Sequence, residues 1–147
     1  MKKFNFNLES VLNYRLIMEQ QAKEKFGQAK IYATKQKELL QHYQKTLLQE
    51  QENIVEITDV SALQHRDMYV NCLCKQIDNQ EKVVEKAENL VKKRQAEVTK
   101  AMRDTKVLDN LKEKRYQEYL AEVNNEEQKI LDEIGIINFT RQASFIE

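Results

Sequence analysis

No proline and no tryptophan occur in these 147 residues, and glycine occurs only twice. Glycine and proline make chain reversals cheaply, so their scarcity leaves room for very few turns and excludes an ordinary compact fold. Gly27 and Gly135 stand alone, which excludes a glycine-rich loop that cradles phosphate and, with it, a P-loop ATPase. No stretch approaches the roughly 18 apolar residues of a membrane span, and Lys2-Lys3 is not followed by the apolar run of a signal peptide. The expectation is a cytosolic chain with no transmembrane segment. An excess of one charge is also missing: 24 basic residues face 24 acidic ones, which argues against a nucleic-acid binder. Cys72 and Cys74, two residues apart on a helix, point about 200° from each other and cannot bridge, so they read as reduced thiols. His42 and His65 lie outside any ligand spacing, and neither metal nor cofactor is expected.

What is present is a polar chain, 33% charged, whose apolar positions recur at alternating intervals of four and three. From Leu8 this heptad pattern runs to Ile57. One set of seam positions is Leu12, Glu19, Phe26, Ala33, Leu40, Leu47 and Ile54, and the other is Leu8, Arg15, Ala22, Ala29, Gln36, Tyr43, Glu50 and Ile57. So thin a seam cannot hold a lone helix of this length, which therefore needs a partner helix. After the polar cluster Thr58-Asp59-Val60-Ser61, Ser61-Ala62-Leu63-Gln64 has the form of a capping box that opens a second helix. Its seam runs through Val70, Leu73, Ile77, Gln80, Val84, Ala87, Val91, Arg94, Val98, Ala101, Thr105 and Leu108. The phase slips between Leu108 and Tyr116, and Gly135 is a plausible helix stop.

The predicted fold is all-α: a monomeric, left-handed, antiparallel two-helix coiled-coil hairpin with the second helix longer than the first. It forms one domain, 1–147, with a helix over 8–57, a reversal at 58–61, a helix over 61–134 and a C-terminal tail over 135–147. The rival is a parallel homodimer of one uninterrupted helix, because heptads do not reveal topology. In the hairpin, residue i faces about residue 118 − i, so Phe4 falls near Lys114 and everything after Arg115 overhangs. The opening FNFNLESVL has apolar residues on a two-residue step, Phe4, Phe6 and Leu8, and these tie the chain start to the partner helix. Charge is uneven along the second helix. Residues 92–115 hold nine basic against four acidic side chains, and residues 116–147 hold two against seven.

A two-helix hairpin offers no concave site for a nucleophile, base and oxyanion hole, so no enzymatic activity is expected. Binding surfaces fit better. Tyr14, Tyr32, Tyr43, Tyr69, Tyr116 and Tyr119 are amphipathic anchors on a Gln-, Glu- and Lys-rich helix pair. Tyr43 lies in a seam and serves packing equally well, whereas Tyr32 and Tyr69 lie beside the seams.

The opening Phe4-x-Phe6-x-Leu8-Glu9-x-Val11-Leu12-x-x-Arg15-x-x-x-Glu19, the polar helix, the reversal near residue 59 and the longer return helix resemble the bacterial flagellar export protein FliJ family. That resemblance implies a coiled coil like the central stalk subunit of rotary ATPases. It implies three partners: the hexameric flagellar export ATPase, the cytoplasmic domain of the membrane export gate, and the export chaperones. It also implies a place in the cytoplasm at the inner face of the cell membrane. The family's gate-contacting pattern matches Gln36, Leu40 and Tyr43 on the first helix and Tyr69 and Leu73 on the second, while Gln76 and Gln80 stand where some members carry a small residue and a histidine. On the same reading the ring contact falls at the other end, on Phe4, Phe6 and Leu8, the basic residues Arg103, Lys112, Lys114 and Arg115, and the overhang's Tyr116, Tyr119 and Ile130. The competing classes are a passive coiled-coil scaffold and the equivalent stalk or chaperone of a virulence type III secretion system.

Overall fold

The computed structural model describes residues 3–53 and 59–143. Helix α1 spans Glu9–Glu52 and helix α2 spans Val60–Ala143, 44 and 84 residues long, and no strand occurs among the described residues. With no proline to remove a donor or clash with a preceding carbonyl, nothing in either segment breaks the helical hydrogen-bond ladder.

Both helices differ from the predicted boundaries at their ends. The reversal at 58–61 lies partly outside the described residues, as do the seam positions Ile54 and Ile57. Asp59, not Ser61, opens α2: its side-chain oxygen accepts the Ser61 N–H at 3.1 Å and its carbonyl accepts the Leu63 N–H at 3.1 Å. Asp59, one residue ahead of the first helical position, thus takes the N-cap place expected of Ser61, and it satisfies the Ser61 N–H that the capping box assigned to the Gln64 side chain. At the other end α2 continues through Gly135 to Ala143, which corrects the expected tail over 135–143. A glycine ends a helix by adopting positive φ, and neither glycine here does so. In a helix interior it costs only about 1 kcal/mol relative to alanine, which does not by itself stop the helix.

The chain divides into two compact units. In the unit Ile17–Met102, α1 and α2 pack antiparallel along the predicted seam. Ala29, Ala33, Leu73, Ile77, Val84 and Ala87 are buried, and Phe26, Leu40, Leu47, Val70, Val91 and Val98 are half-buried. Gln80 is buried in the same row, and its Nε2 donates to both the carbonyl (3.0 Å) and the Oε1 (2.8 Å) of Gln36. The Arg66 guanidinium donates to the Glu50 carbonyl. Both pairs are centred close to Asp59, as the mirror pairing predicts.

The other unit holds the residues up to Leu16 with those from Arg103 onward. Here Leu12 and Phe6 are buried, with Thr105, whose hydroxyl lies 3.5 Å from the Arg15 carbonyl. Arg15 meets Asp104 at 3.4 Å, and Lys112 meets Glu9 at 2.8 Å. Residues 3–8 form no helix or strand, and the Glu9 N–H bonds back across a turn to the Phe6 carbonyl at 3.1 Å to start α1. Phe4 packs edge-on to Tyr116 with ring centroids 5.2 Å apart and tilts against Tyr119 at 5.5 Å. The short non-helical lead is therefore an anchor that fastens the start of α1 to α2.

Removing this anchor has a local cost. Phe4→Ala loses two aromatic contacts and part of an apolar burial, together about 2 kcal/mol. The expected result is faster amide exchange over the first turns of α1, with protection around Ile77 and Val84 unchanged.

Candidate partner-binding surfaces

Helical spacing places the proposed gate residues on unit Ile17–Met102, and their burial separates them. Leu73 is 5% exposed and belongs to the core. Gln36, Leu40 and Tyr43 are half-buried in the seam of α1, with Gln36 held by Gln80. Tyr69 is 46% exposed, because it stands beside the α2 seam and not in it. Tyr32 is similarly open and lines a shallow hollow with Lys25, Gln28, Ala29, Leu90 and Arg94. Another hollow of this unit is lined by Lys30, Ala33, Thr34, Lys37, Glu88, Val91 and Lys92, with Lys37 and Glu88 paired at 2.9 Å. Small seam residues explain both: Ala29 and Ala33 fill the centre but leave the flanks open.

Charge tunes the rim of the Tyr32 hollow. The Arg94 guanidinium, hydrogen-bonded to Glu97 at 2.9 Å, holds the Glu97 carboxyl below its usual range; slight desolvation opposes this, and the charges of Arg94, Lys93 and Lys25 reinforce it. A carboxylate shifted down keeps its pair at and above the usual carboxylate range and loses it only as pH falls through the lowered value. Arg94 thus stays engaged at neutral pH.

The residues assigned to the ring lie in the unit that contains both chain ends, and the structure divides them by role. Phe4 and Phe6 are turned inward, and Leu8 is 38% exposed at the edge of a hollow shared with Asn5, Asn7, Leu111 and Arg115. Lys112 is committed to Glu9. Arg103, Lys114 and Arg115 are exposed and form the basic part of the surface. Tyr116 and Tyr119 are held by Phe4 and by each other, with centroids 6.3 Å apart. Val123 is half-buried, and every residue from Asn124 to Ala143 is exposed, Ile130 included at 56%. The segment of α2 without cover therefore begins eight residues later than Tyr116, at Asn124.

Three features were not anticipated from sequence. Leu111 is half-buried and carries the seam across the predicted slip. The Glu9–Lys112 pair was hidden because it looked like an ordinary polar surface pair, and the Gln36–Gln80 bonds because seam periodicity places both residues without showing that they bond, although the mirror pairing sets each couple nearly opposite. Among the described residues no group of His, Cys, Asp and Glu is arranged to hold a metal ion, Cys72 and Cys74 are exposed free thiols, and no helix is long and apolar enough to cross a membrane.

The family profile described as Flagellar FliJ protein matches residues 4–144. A solved structure of a candidate YscO homolog from Chlamydia trachomatis shares the fold, with a TM-score of 0.56 and 20% identity over 97% of this chain and 99% of that one. No curated protein sequence matches.

Proposed function

The chain belongs to the flagellar FliJ protein family, and from that membership we propose that it is a non-enzymatic, stalk-like component of the flagellar type III protein export apparatus. In this role it binds and activates the hexameric export ATPase, contacts the cytoplasmic domain of the membrane export gate and assists the cycling of export chaperones. It works in the cytoplasm, peripherally associated with the inner face of the cell membrane at the flagellar base. The observation that carries the ring contact is the stretch Asn124 to Ala143, helical and exposed at every residue, leading directly out of the Phe4-Tyr116-Tyr119 anchor.

The mechanism is mechanical coupling. A hexameric ring presents six similar inner surfaces, and a single asymmetric helix pair within it contacts them unequally, so it biases the state of one subunit at a time. The anchor keeps the two helices of that unit together as the ring pushes on them. Arg103, Lys114 and Arg115 supply a cationic collar for acidic loops of the ring. Tyr69, together with Tyr43, Leu40 and Gln36 of the α1 seam, supplies the gate contact, and Leu73 supports that surface from within the core.

Binding to the assembled ring tests this reading. The full chain is expected to co-sediment with the export ATPase and to promote hexamers. Raising salt from roughly 50 to roughly 300 mM shortens the Debye length about 2.5-fold and should weaken that binding. Unchanged binding across this range removes the collar from the contact, and no co-sedimentation at any salt leaves the chain a passive rod.

A further inference from the structure

We propose that residues 124–143 of α2 pair with the same segment of a second copy of this chain, antiparallel and centred on Ile134. The starting observation is uncovered apolar surface. Ile130, Leu131, Ile134, Ile136, Ile137 and Phe139 are all between 48% and 73% exposed. Ile130, Ile134 and Ile137 follow at intervals of four and three, which lines them along one side of the helix as a continuous stripe. Within the segment Gln128 bonds Asp132 at 3.0 Å, and the Thr140 hydroxyl bonds the carbonyls of Ile136 and Ile137, contacts of one helix with itself. A helix of this length without a packed face is marginal in water, so its regularity calls for a cover.

The segment's own pattern selects the occupant. Its four carboxylates, Glu126, Glu127, Asp132 and Glu133, all precede Ile134, and its later half carries only Arg141 as a charge. Reversed about Ile134, the stripe is complementary to itself. Ile134 meets its copy, Ile130 and Leu131 meet Ile137, Glu127 comes opposite Arg141, and the stem of Lys129 comes opposite Phe139. Glu133 then falls beside Gly135, where a Cβ would meet nothing within 4 Å in the single chain, so a neighbouring helix finds open space there. A parallel pairing does the opposite: it sets each carboxylate against its own copy and Arg141 against Arg141, which like-charge repulsion disfavours.

The antiparallel arrangement is isologous and closes at two copies, so it produces dimers and no filaments. Two facing segments of about five turns each make a contact below the standard interface size, which implies reversible association that depends on concentration. The pairing follows from this segment alone and stands whether or not the same face also meets an ATPase ring.

Sedimentation equilibrium of the full chain, from about 1 to about 300 μM, reads the association directly. The expected mass rises with concentration from 17.5 kDa to twice that value, and Ile134→Asp holds it at 17.5 kDa throughout. Glu127→Arg and Arg141→Glu each weaken association by tenfold or so, and the two together restore it, because both opposed pairs are then rebuilt with reversed sign. Orientation is read in a Cys72→Ser, Cys74→Ser background, where Ile134→Cys is expected to form an interchain disulfide and Ile130→Cys is not. A mass of 17.5 kDa at every concentration overturns the proposal, as does a dimer indifferent to Ile134→Asp. Failure of the double charge reversal to restore association, or equal crosslinking at positions 130 and 134, overturns the antiparallel register.

Discussion

Truncation after Val123 is expected to abolish stimulation of the export ATPase while binding to the export gate stays unchanged. The cut removes only residues that are exposed or lie outside the described part, and it leaves the Phe4-Tyr116-Tyr119 anchor, Leu12 and Thr105 in place. Helicity per residue over Glu9–Val123 should therefore hold, and thermal unfolding of the seam in the unit Ile17–Met102 should be unaffected. Steady-state phosphate release at a fixed ATPase concentration, with full and truncated chains compared, checks this. Stimulation surviving the truncation moves the ring contact to the basic collar or to the anchor itself. A cut before Tyr116 is less informative, because it also frees Phe4 and loosens the start of α1.

The second large effect separates a docking residue from the core residue four positions away. Leu73→Ala removes a side chain that is 5% exposed, and a buried leucine truncated to alanine costs about 2–5 kcal/mol. Set against a total stability of about 5–15 kcal/mol for an ordinary domain, that is enough to lower the melting temperature sharply. Tyr69→Ala removes a side chain that is 46% exposed and should leave the melting temperature nearly unchanged. If Tyr69 anchors the gate contact, its loss costs about 2 kcal/mol of binding, roughly 30-fold in Kd. Calorimetric titration with the gate's cytoplasmic domain, beside thermal denaturation of each variant, reads both quantities. Equal gate binding by Tyr69→Ala and the unchanged chain would remove this tyrosine from the contact.

The seam was legible in the sequence because a coiled coil repeats a single local rule. Every α2 seam position from Val70 to Leu108 is buried or half-buried, including the polar Gln80, Arg94 and Thr105. Periodicity alone placed them. The antiparallel pairing was legible for the same reason, since fixing one reversal near Asp59 fixes every partner. Element ends were less legible because they rest on one or two hydrogen bonds. Asp59 and Ser61 are both good caps, and only geometry decides between them. Gly135 has the residue type of a helix stop but not the conformation, and the four-and-three spacing of Ile130, Ile134 and Ile137 across it was the sign that the helix runs on.

The candidate surfaces were legible in position but not in exposure. Tyr69 and Leu73 both match the family's pattern, yet a shift of a single position relative to the seam makes one a surface residue and the other core. Tyr116 and Tyr119 read as free aromatics on an overhang because the pairing counted only helix against helix. The lead outside the helix turns at Asn7 and Leu8, and it sets Phe4 against both rings. Lys112 belonged to the basic block by charge count, but its pairing with Glu9 makes it part of the tie between the helices.

The central claim is that this chain activates an ATPase without carrying a nucleotide site, and phosphate release by the purified cognate export ATPase tests it most directly. Added at micromolar concentration, the chain is expected to raise the release rate and to saturate as rings fill, while showing no ATP hydrolysis by itself. An unchanged rate across that range, with the chain folded and in excess, would contradict the account.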